Sequence, residues 1–356
     1  MNIFSTIWLL PLFTFIFVNI LPIEATHHVY RNLQSSDDST YQPYRTAYHF
    51  QPPKNWINVI TYYNDDKDNV TPADKGFDEV SSEHVLKHDC GKYYASKSFF
   101  DDEKNRKILL GWVSQSSSVA DDIKNGGSGI HTIPRAIRLH KSGKQLVQWP
   151  ILEVEKLRAN HVNWPTKILN GGGELLKING VTPAQADVEI SFEVNNNIET
   201  AEVLDNWTDP QILCSESSSI KSGLGPFGLL VFASKGLKEF TSVFFRIFKY
   251  QQKPLVLFCS DQSRSSLNND NDLNTYGTFS DVDVLNEKLS LRSLIDHSIV
   301  ESFGGEGRAS ITARVYPTLA INDKALLYAF NNGTTDVKIT SLNAWSMKKA
   351  PSNENL

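Results

Sequence analysis

The chain has 356 residues, of which 40% are hydrophobic and 21% are charged, and its net charge is -5 at pH 7. This length allows two domains, and the hydrophobic content is sufficient for sizeable cores. No run of Lys or Arg recurs along the chain, so we expect no nucleic-acid partner, because a phosphate-binding surface needs a basic stripe. The acidic balance instead suits a neutral or small partner.

The N-terminus is predicted to be a signal peptide over residues 1–25. Its apolar centre at Leu9–Val18 is followed by the small residue Ala25, which offers a cleavage position. The alternative is a transmembrane anchor, because about 20 apolar residues can span a bilayer. Pro11 and Pro22 weaken that alternative, and we therefore expect a secreted chain with no membrane contact after cleavage.

Secretion is also indicated by glycosylation signals and cysteines. Asn-X-Ser/Thr sequons occur at Asn69, Asn206 and Asn332. Cys214 and Cys259 both lie on strand-like runs, so we predict that they pair in an oxidising compartment, with Cys90 outside the pair. Closing this loop is expected to stabilise the fold by about 4 kcal/mol in the chain-entropy model.

Residues 26–43 are polar and are interpreted as a leader. From residue 44 to residue 150, short apolar runs alternate with polar, Gly-rich turns. Lys92–Phe100 and Lys107–Val113 are predicted strands in this region.

A linker is predicted over residues 151–165, with one short helix at Glu153–Arg158. From residue 166 to residue 350 the sequence is a series of short strand-like runs with almost no helical period. Predicted strands include Asp187–Val194, Phe227–Ala233, Thr241–Tyr250, Leu255–Cys259, Lys288–Leu294, Ser310–Val315, Ala325–Phe330 and Lys338–Trp345. Many short strands at regular spacing predict a two-sheet β-sandwich, and the chain as a whole is expected to be all-β.

Several motifs carry a resemblance to a known family. They are Arg45–Asn58, Asp89–Lys97, Gly111–Val113, Thr132–Arg135, Gln148–Pro150, Ile295–Phe303 and Thr312–Pro317. Together they resemble the plant acid invertases and fructan exohydrolases of glycoside hydrolase family 32. The resemblance implies a five-bladed β-propeller followed by a β-sandwich. It also implies retaining hydrolysis of terminal β-fructofuranosides by two carboxyl groups about 5–5.5 Å apart.

The catalytic residues of that family are absent from this sequence. The family motif that begins at Trp56 continues past Asn58 with the nucleophilic Asp, whereas this chain has Val59 there. The family's Arg-Asp-Pro motif and the Glu-Cys motif of the acid/base also do not occur. We predict an internal deletion near residue 59, because the 106 residues from Tyr44 to Trp149 hold at most about two and a half blades at about 40–45 residues each.

By the same resemblance, four residues are predicted remnants of the substrate site: Trp56, Asn58, Asp89 and Lys92. The alternative for Trp56 is core packing, and the alternative for Asp89 and Lys92 is a surface ion pair. Asp296, His297 and Ser298 are not a predicted triad, because neighbours on a strand point to opposite faces. No metal-ligand spacing is present, and we expect no metal and no cofactor.

We therefore predict an invertase-like chain without catalytic activity, derived from enzymes of sucrose or fructan. The alternatives are a site rebuilt from other residues, a sugar-binding or decoy module, a subunit that docks through its sandwich, and an exon-skipped product without function. The apoplast or cell wall is the predicted location, with the vacuole as the alternative. Because the deletion uncovers strand edges, we expect the propeller remnant to be poorly ordered.

Overall fold

The computed structural model describes residues 42–52, 55–56, 88–125, 127–143, 145–217 and 223–351, with the backbone alone described at 55–56, 195–196 and 217. The predicted signal peptide and most of the polar leader lie outside the described residues, as do residues 57–87. No helix in the described part of the chain is long and apolar enough to cross a membrane.

The described chain before residue 151 contains seven strands and one short helix. The strands are β1 (Asn55–Trp56), β2 (Tyr93–Asp101), β3 (Arg106–Val113), β4 (Gly127–Ser128), β5 (Ile130–His131), β6 (Arg135–Leu139) and β7 (Leu146–Pro150), and α1 spans Val119–Lys124. A five-stranded antiparallel sheet, which we call the blade, has the order β2-β3-β6-β7 with β5 paired to β3. β1 pairs with β4 in parallel.

The remaining strands follow a 3-10 helix at Leu152–Leu157. They are β8 (Arg158–Trp164), β9 (Lys167–Leu169), β10 (Glu174–Lys177), β11 (Gln185–Glu193), β12 (Glu202–Val203), β13 (Leu224–Ala233), β14 (Thr241–Tyr250), β15 (Lys253–Asp261), β16 (Thr275–Ser280), β17 (Leu289–Asp296), β18 (Ile299–Gly304), β19 (Ala309–Arg314), β20 (Leu326–Asn331) and β21 (Val337–Met347). Helix α2 spans Pro210–Ser217, and 3-10 helices lie at Asn195–Thr200 and Asn322–Lys324.

These strands form two seven-stranded sheets. One has the order β10-β20-β13-β14-β15-β16 with β12 beside β14, and the other has the order β19-β18-β17-β11-β21-β8 with β9 beside β21. Alternating apolar residues on each strand meet between the sheets, as in the edge-to-face contact of Phe192 and Phe227 at 4.9 Å. The predicted β-sandwich is therefore present.

The predicted linker over residues 151–165 differs from the structure. Leu152–Leu157 is a 3-10 helix, and Arg158–Trp164 is a strand, β8, that pairs with β21. β8 lies at the edge of its sheet, where one side of the strand faces solvent. Edge strands carry polar residues, and the resulting weak apolar period explains why the sequence predicted a linker.

The blade is attached to the sandwich by backbone hydrogen bonds. The amides of Cys90 and Lys92 donate to the carbonyls of Ser310 and Thr312, on β19, at 3.0 and 2.7 Å. Gly91 allows this approach, because a Cβ at that position would lie 2.0 Å from the Thr312 carbonyl oxygen. The expectation of a poorly ordered remnant remains a prediction.

Candidate functional site

Five charged side chains without exposed surface meet where the blade contacts the sandwich. They are His49 in the N-terminal segment, Asp89 before β2, Arg135 at the start of β6, Asp296 at the end of β17 and Glu301 on β18. We call this set the junction cluster. Of the four predicted substrate-site residues, it contains Asp89.

Arg135 is the centre of the junction cluster. Its Nη1 donates to Asp89 Oδ2 at 2.9 Å, and its Nη2 donates to Glu301 Oε2 at 2.5 Å. The rings of Tyr93 and Phe303 lie 5.1 and 5.0 Å from the guanidinium carbon. Burial lowers the pKa of Arg135, but the two carboxylates outweigh it and raise this pKa above its ordinary value.

Asp89, a predicted substrate-site remnant, is fully engaged by the protein. Its Oδ1 accepts from the backbone amides of Gly91 and Thr312 at 2.8 and 2.9 Å. Its Oδ2 accepts from Arg135 and from the Thr312 hydroxyl at 2.7 Å. With no exposed surface, this carboxylate cannot meet a sugar without breaking those bonds.

Lys92, the predicted partner of Asp89, faces a different group. Its Nζ pairs with the carboxylate of Asp272, and both side chains are partly exposed. The structure therefore separates the two residues into a buried cluster and a partly exposed ion pair. The alternative prediction, a surface ion pair between Asp89 and Lys92, is therefore wrong, because Asp89 is buried against Arg135 and Lys92 pairs with Asp272.

The other two predicted substrate-site residues are Trp56 and Asn58, at and beyond the edge of a described segment. The backbone of Trp56 pairs with Ser128, but its side chain is not among the described parts of the structure. Asn58 and Val59 lie outside the described residues. Their predicted roles in a fructose subsite remain predictions.

His49, Asp296 and Glu301 were not identified from the sequence as a cluster. His49 Nδ1 lies 3.0 Å from Asp296 Oδ2, and its Nε2 lies 2.9 Å from Glu301 Oε1. Burial raises the carboxyl pKa values, but hydrogen bonds and charges from neighbouring cations lower both below their ordinary values. The sequence did offer one signal, the acidic residues Asp296 and Glu301 within otherwise apolar strands. Because buried charges are paired in proteins, these residues indicated that cationic partners lie nearby.

Asp296, His297 and Ser298 do not form a relay. His297 Nδ1 contacts Asp296 at 3.0 Å, but the Ser298 hydroxyl donates to the carbonyl of Tyr44 at 2.5 Å. This serine therefore anchors the N-terminal segment to the sandwich.

A shallow concavity that is open to solvent lies beside the N-terminal segment that carries His49. It is lined by Gln42, Tyr44, Arg45, Gln51, Asp122, Asn125, Gly127, Arg314 and Tyr316. Asp122 is the one carboxylate in this lining, whereas retaining glycoside hydrolysis needs a pair. Burial raises the pKa of Asp122, but it has no second carboxyl group there to act with. In the described part of the chain, no group of three or more His, Cys, Asp and Glu side chains is arranged to hold a metal ion.

The disulfide and two of the sequons are described. Cys214 and Cys259 are bonded, with their Cα atoms 5.6 Å apart. Cys214 lies on helix α2 rather than on a strand, so the predicted pair is present while its predicted local structure is wrong. Asn206 is exposed and Asn332 is half-buried, whereas Asn69 lies outside the described residues.

Two family models match the chain. Residues 153–346 match the glycosyl hydrolases family 32 C terminal model, and residues 59–150 match the glycosyl hydrolases family 32 N-terminal domain. The N-terminal match begins at residue 59, near which the sequence predicts an internal deletion.

The relatives match most of this chain, but the match covers only about half of each relative's own length. The beta-fructofuranosidase, cell wall isozyme, of Pisum sativum is 67% identical over 270 residues, covering 76% of this chain and 48% of the relative. The fructan 6-exohydrolase of Beta vulgaris is 59% identical over 296 residues, covering 83% and 48%. The crystal structure of fructan 1-exohydrolase IIa from Cichorium intybus matches with a TM-score of 0.72 at 51% identity, covering 74% of this chain and 50% of that one.

These matches agree with the motifs and with the architecture. The prediction of a mostly-β chain, with part of a propeller region before a C-terminal β-sandwich, is confirmed. The chain spans about half the length of the relatives it matches. On this basis the chain belongs to glycoside hydrolase family 32, with part of the N-terminal domain present.

Proposed function

We propose that this chain is a catalytically inactive member of the β-fructofuranosidase and fructan exohydrolase lineage. The observation that carries the proposal is Val59 at the position where the family motif has its nucleophilic Asp. An isopropyl group can neither attack the anomeric carbon nor stabilise positive charge on the fructosyl ring. A retaining mechanism also needs a second carboxyl group opposite the nucleophile, and the motif that would supply it does not occur in the sequence.

The carboxylates of the junction cluster and of the described concavity offer no replacement pair. Asp89 and Glu301 share the guanidinium of Arg135 and have no exposed surface. Asp122 is the only carboxylate in the lining of the described concavity. A catalytic pair must reach the substrate and hold its two pKa values apart, and the buried carboxylates fail the first requirement.

We further propose that the chain is secreted to the cell wall. The charge-free apolar N-terminus and the exposed sequon at Asn206 support secretion. The Cys214–Cys259 disulfide is typical of an oxidising compartment. The pea relative carries the name cell wall isozyme, and the sugars of the lineage are sucrose and fructan, as the bound 1-kestose of a Cichorium intybus fructan 1-exohydrolase structure illustrates.

The direct test is hydrolysis by the purified full chain. We expect no fructose release above background from sucrose or 1-kestose, with a full-length cell-wall invertase as the positive control. Saturable fructose release, or a covalent fructosyl adduct on this polypeptide, would overturn the proposal. If release occurred, Asp122→Asn would test whether the concavity supplies the carboxylate, with Lys338→Met as the matched surface control.

Transcript sequencing across Asn58–Thr61 addresses the alternative of an exon-skipped product. A continuous genomic reading frame through this junction supports a chain with its own role. A junction found only as a minor splice form supports the alternative.

A further inference from the structure

The N-terminal strap, residues Tyr44–Phe50, is held against the sandwich by contacts along its whole length. The hydroxyl of Tyr44 donates to the Pro317 carbonyl at 2.9 Å. The hydroxyl of Tyr48 lies 3.1 and 2.9 Å from the carbonyl oxygens of Ala186 and Ile295, which share its one hydrogen. Farther along, the Phe50 carbonyl accepts from the amide of His131 in the blade at 3.0 Å, so the strap touches both parts of the molecule.

The carboxylate of Asp296 binds the middle of the strap. Its two oxygens accept from three consecutive backbone amides, those of Ala47, Tyr48 and His49, at 2.7, 2.8 and 2.8 Å. Three amides that converge on one carboxylate fix both its position and its negative charge. The strap therefore depends on an ionised Asp296.

His49 connects this carboxylate to a second one. Its two ring nitrogens lie 3.0 Å from Asp296 Oδ2 and 2.9 Å from Glu301 Oε1. A neutral imidazole carries one N–H, whereas an imidazolium carries two. Both short contacts to ionised oxygens are therefore satisfied only when His49 is protonated.

The rest of the network makes Glu301 the shared point between strap and blade. Glu301 Oε1 also accepts from the amide of Ile133 at 2.6 Å, and its Oε2 accepts from Arg135. Both groups belong to the blade, at or just before β6. Loss of the His49 proton would leave a ring lone pair facing one of these buried carboxylates, which destabilises the contact.

We propose that His49 is a pH-sensitive latch. As an imidazolium it holds the N-terminal strap against the sandwich and the blade, and the loss of its proton weakens the contacts between the strap, the sandwich and the blade. The charged and titratable groups around it come from every element in contact. They are Asp296 on β17, Glu301 on β18, Arg135 on β6, Asp89 before β2, His297 on the other oxygen of Asp296, and Tyr48 beside it in the strap.

The direction of the pH effect follows from the partners. Burial lowers the pKa of His49, but its hydrogen bonds and its attraction to Asp296 and Glu301 outweigh burial and raise it above the ordinary value. A raised pKa gives stability that is fully present below the unfolded-state pKa of about 6.5 and is lost as pH rises through the folded-state pKa. The latch is thus closed in mildly acidic surroundings.

The test is unfolding of the full chain by urea, followed by tryptophan fluorescence from pH 5.5 to 9. Between about pH 6.5 and the folded-state pKa, we expect the unfolding constant to rise about tenfold per pH unit, because one proton is released on unfolding. His49→Gln should remove this component. His161→Gln should keep it, because His161 is an exposed residue on β8, outside the junction cluster.

A second measurement, on the wild type, tests the proposal even if His49→Gln does not fold. Nitrogen-15 shifts of the wild-type ring at pH 6.5 should report two protonated nitrogens. A neutral His49 ring at that pH would overturn the proposal, and so would an identical pH slope in wild type and a folded His49→Gln variant.

Discussion

The two packing interfaces of the molecule differ in their content of buried charge. Between the sandwich sheets the contact is aromatic and aliphatic, with the fully buried rings of Phe192 and Phe227 4.9 Å apart. Between the sandwich and the blade, apolar packing is joined by the buried Arg135 and the carboxylates of Asp89 and Glu301. Apolar packing is non-directional, whereas buried ion pairs require defined geometry.

The sandwich and the blade differ in their interfaces because they cover the apolar faces of their sheets differently. The sandwich has two sheets, and each buries the inner face of the other. The blade is one sheet, and a single sheet needs another layer to cover it. Tyr94, Phe99 and Phe100 on β2 remain 70%, 55% and 55% exposed, so in the described structure the blade is held mainly at its junction with the sandwich.

The largest effect is expected in the sandwich core. Phe245→Ala should lower the free energy of unfolding by about 3–5 kcal/mol, because a fully buried aromatic ring leaves a cavity. Urea denaturation measures this loss, which should be the same at pH 5 and pH 8. The matched control is Tyr94→Ala on the exposed strand, for which we expect a change within about 0.5 kcal/mol. Equal losses in the two variants would contradict the contrast between core and surface.

A somewhat smaller and pH-dependent effect is expected at the junction. Arg135→Met should lower stability by about 3 kcal/mol at pH 7, because it leaves two buried carboxylates without their cation.

The pH dependence of that loss distinguishes the junction from the core. Burial raises the pKa of Glu301, but Arg135 and His49 outweigh this and lower it, so its contribution is present above the ordinary pKa and is lost as pH falls through the folded-state value. The difference between wild type and Arg135→Met should therefore shrink as pH falls below the ordinary glutamate pKa of about 4.3. A loss that stays constant from pH 7 down to about pH 3 would show that packing, not charge, explains the role of Arg135.

The smallest effect is expected at an exposed ion pair. Lys338 Nζ lies 3.1 Å from Glu193, with side chains 41% and 28% exposed. Lys338→Met should change stability by less than about 1 kcal/mol, because solvent screens the pair. The difference should decrease further in 1 M salt, where screening is stronger. If Lys338→Met lowered the free energy of unfolding as much as Arg135→Met does, burial could not explain the large effect expected at the junction.

Much of the fold could be predicted because its signals are local. Alternating apolar residues in Asp187–Val194 and Thr241–Tyr250 predicted strands that the structure contains as β11 and β14. β8 was missed because its exposed edge weakens the apolar period. The placement of Cys214 on a helix was missed because the short segment Pro210–Ser217 resembles a strand in its apolar residues.

The candidate site was harder to predict because it is assembled from distant parts of the chain. Asp89 and Lys92 were identified through a family motif, but the motif does not say that one would be buried against Arg135 and the other would pair with Asp272. Their partners lie on other elements, and side-chain direction at the end of a strand depends on what packs there.

The sequence alone determined the mostly-β character, the family motifs, the residue at position 59 and the cysteines available for pairing, because each is local or compositional. Only the tertiary structure decided that His49 and Glu301, 252 positions apart, share a hydrogen bond inside one buried cluster. The physical reason is that a charge can be buried only where its partners converge, and that convergence exists only after the blade, the strap and the sandwich have packed together.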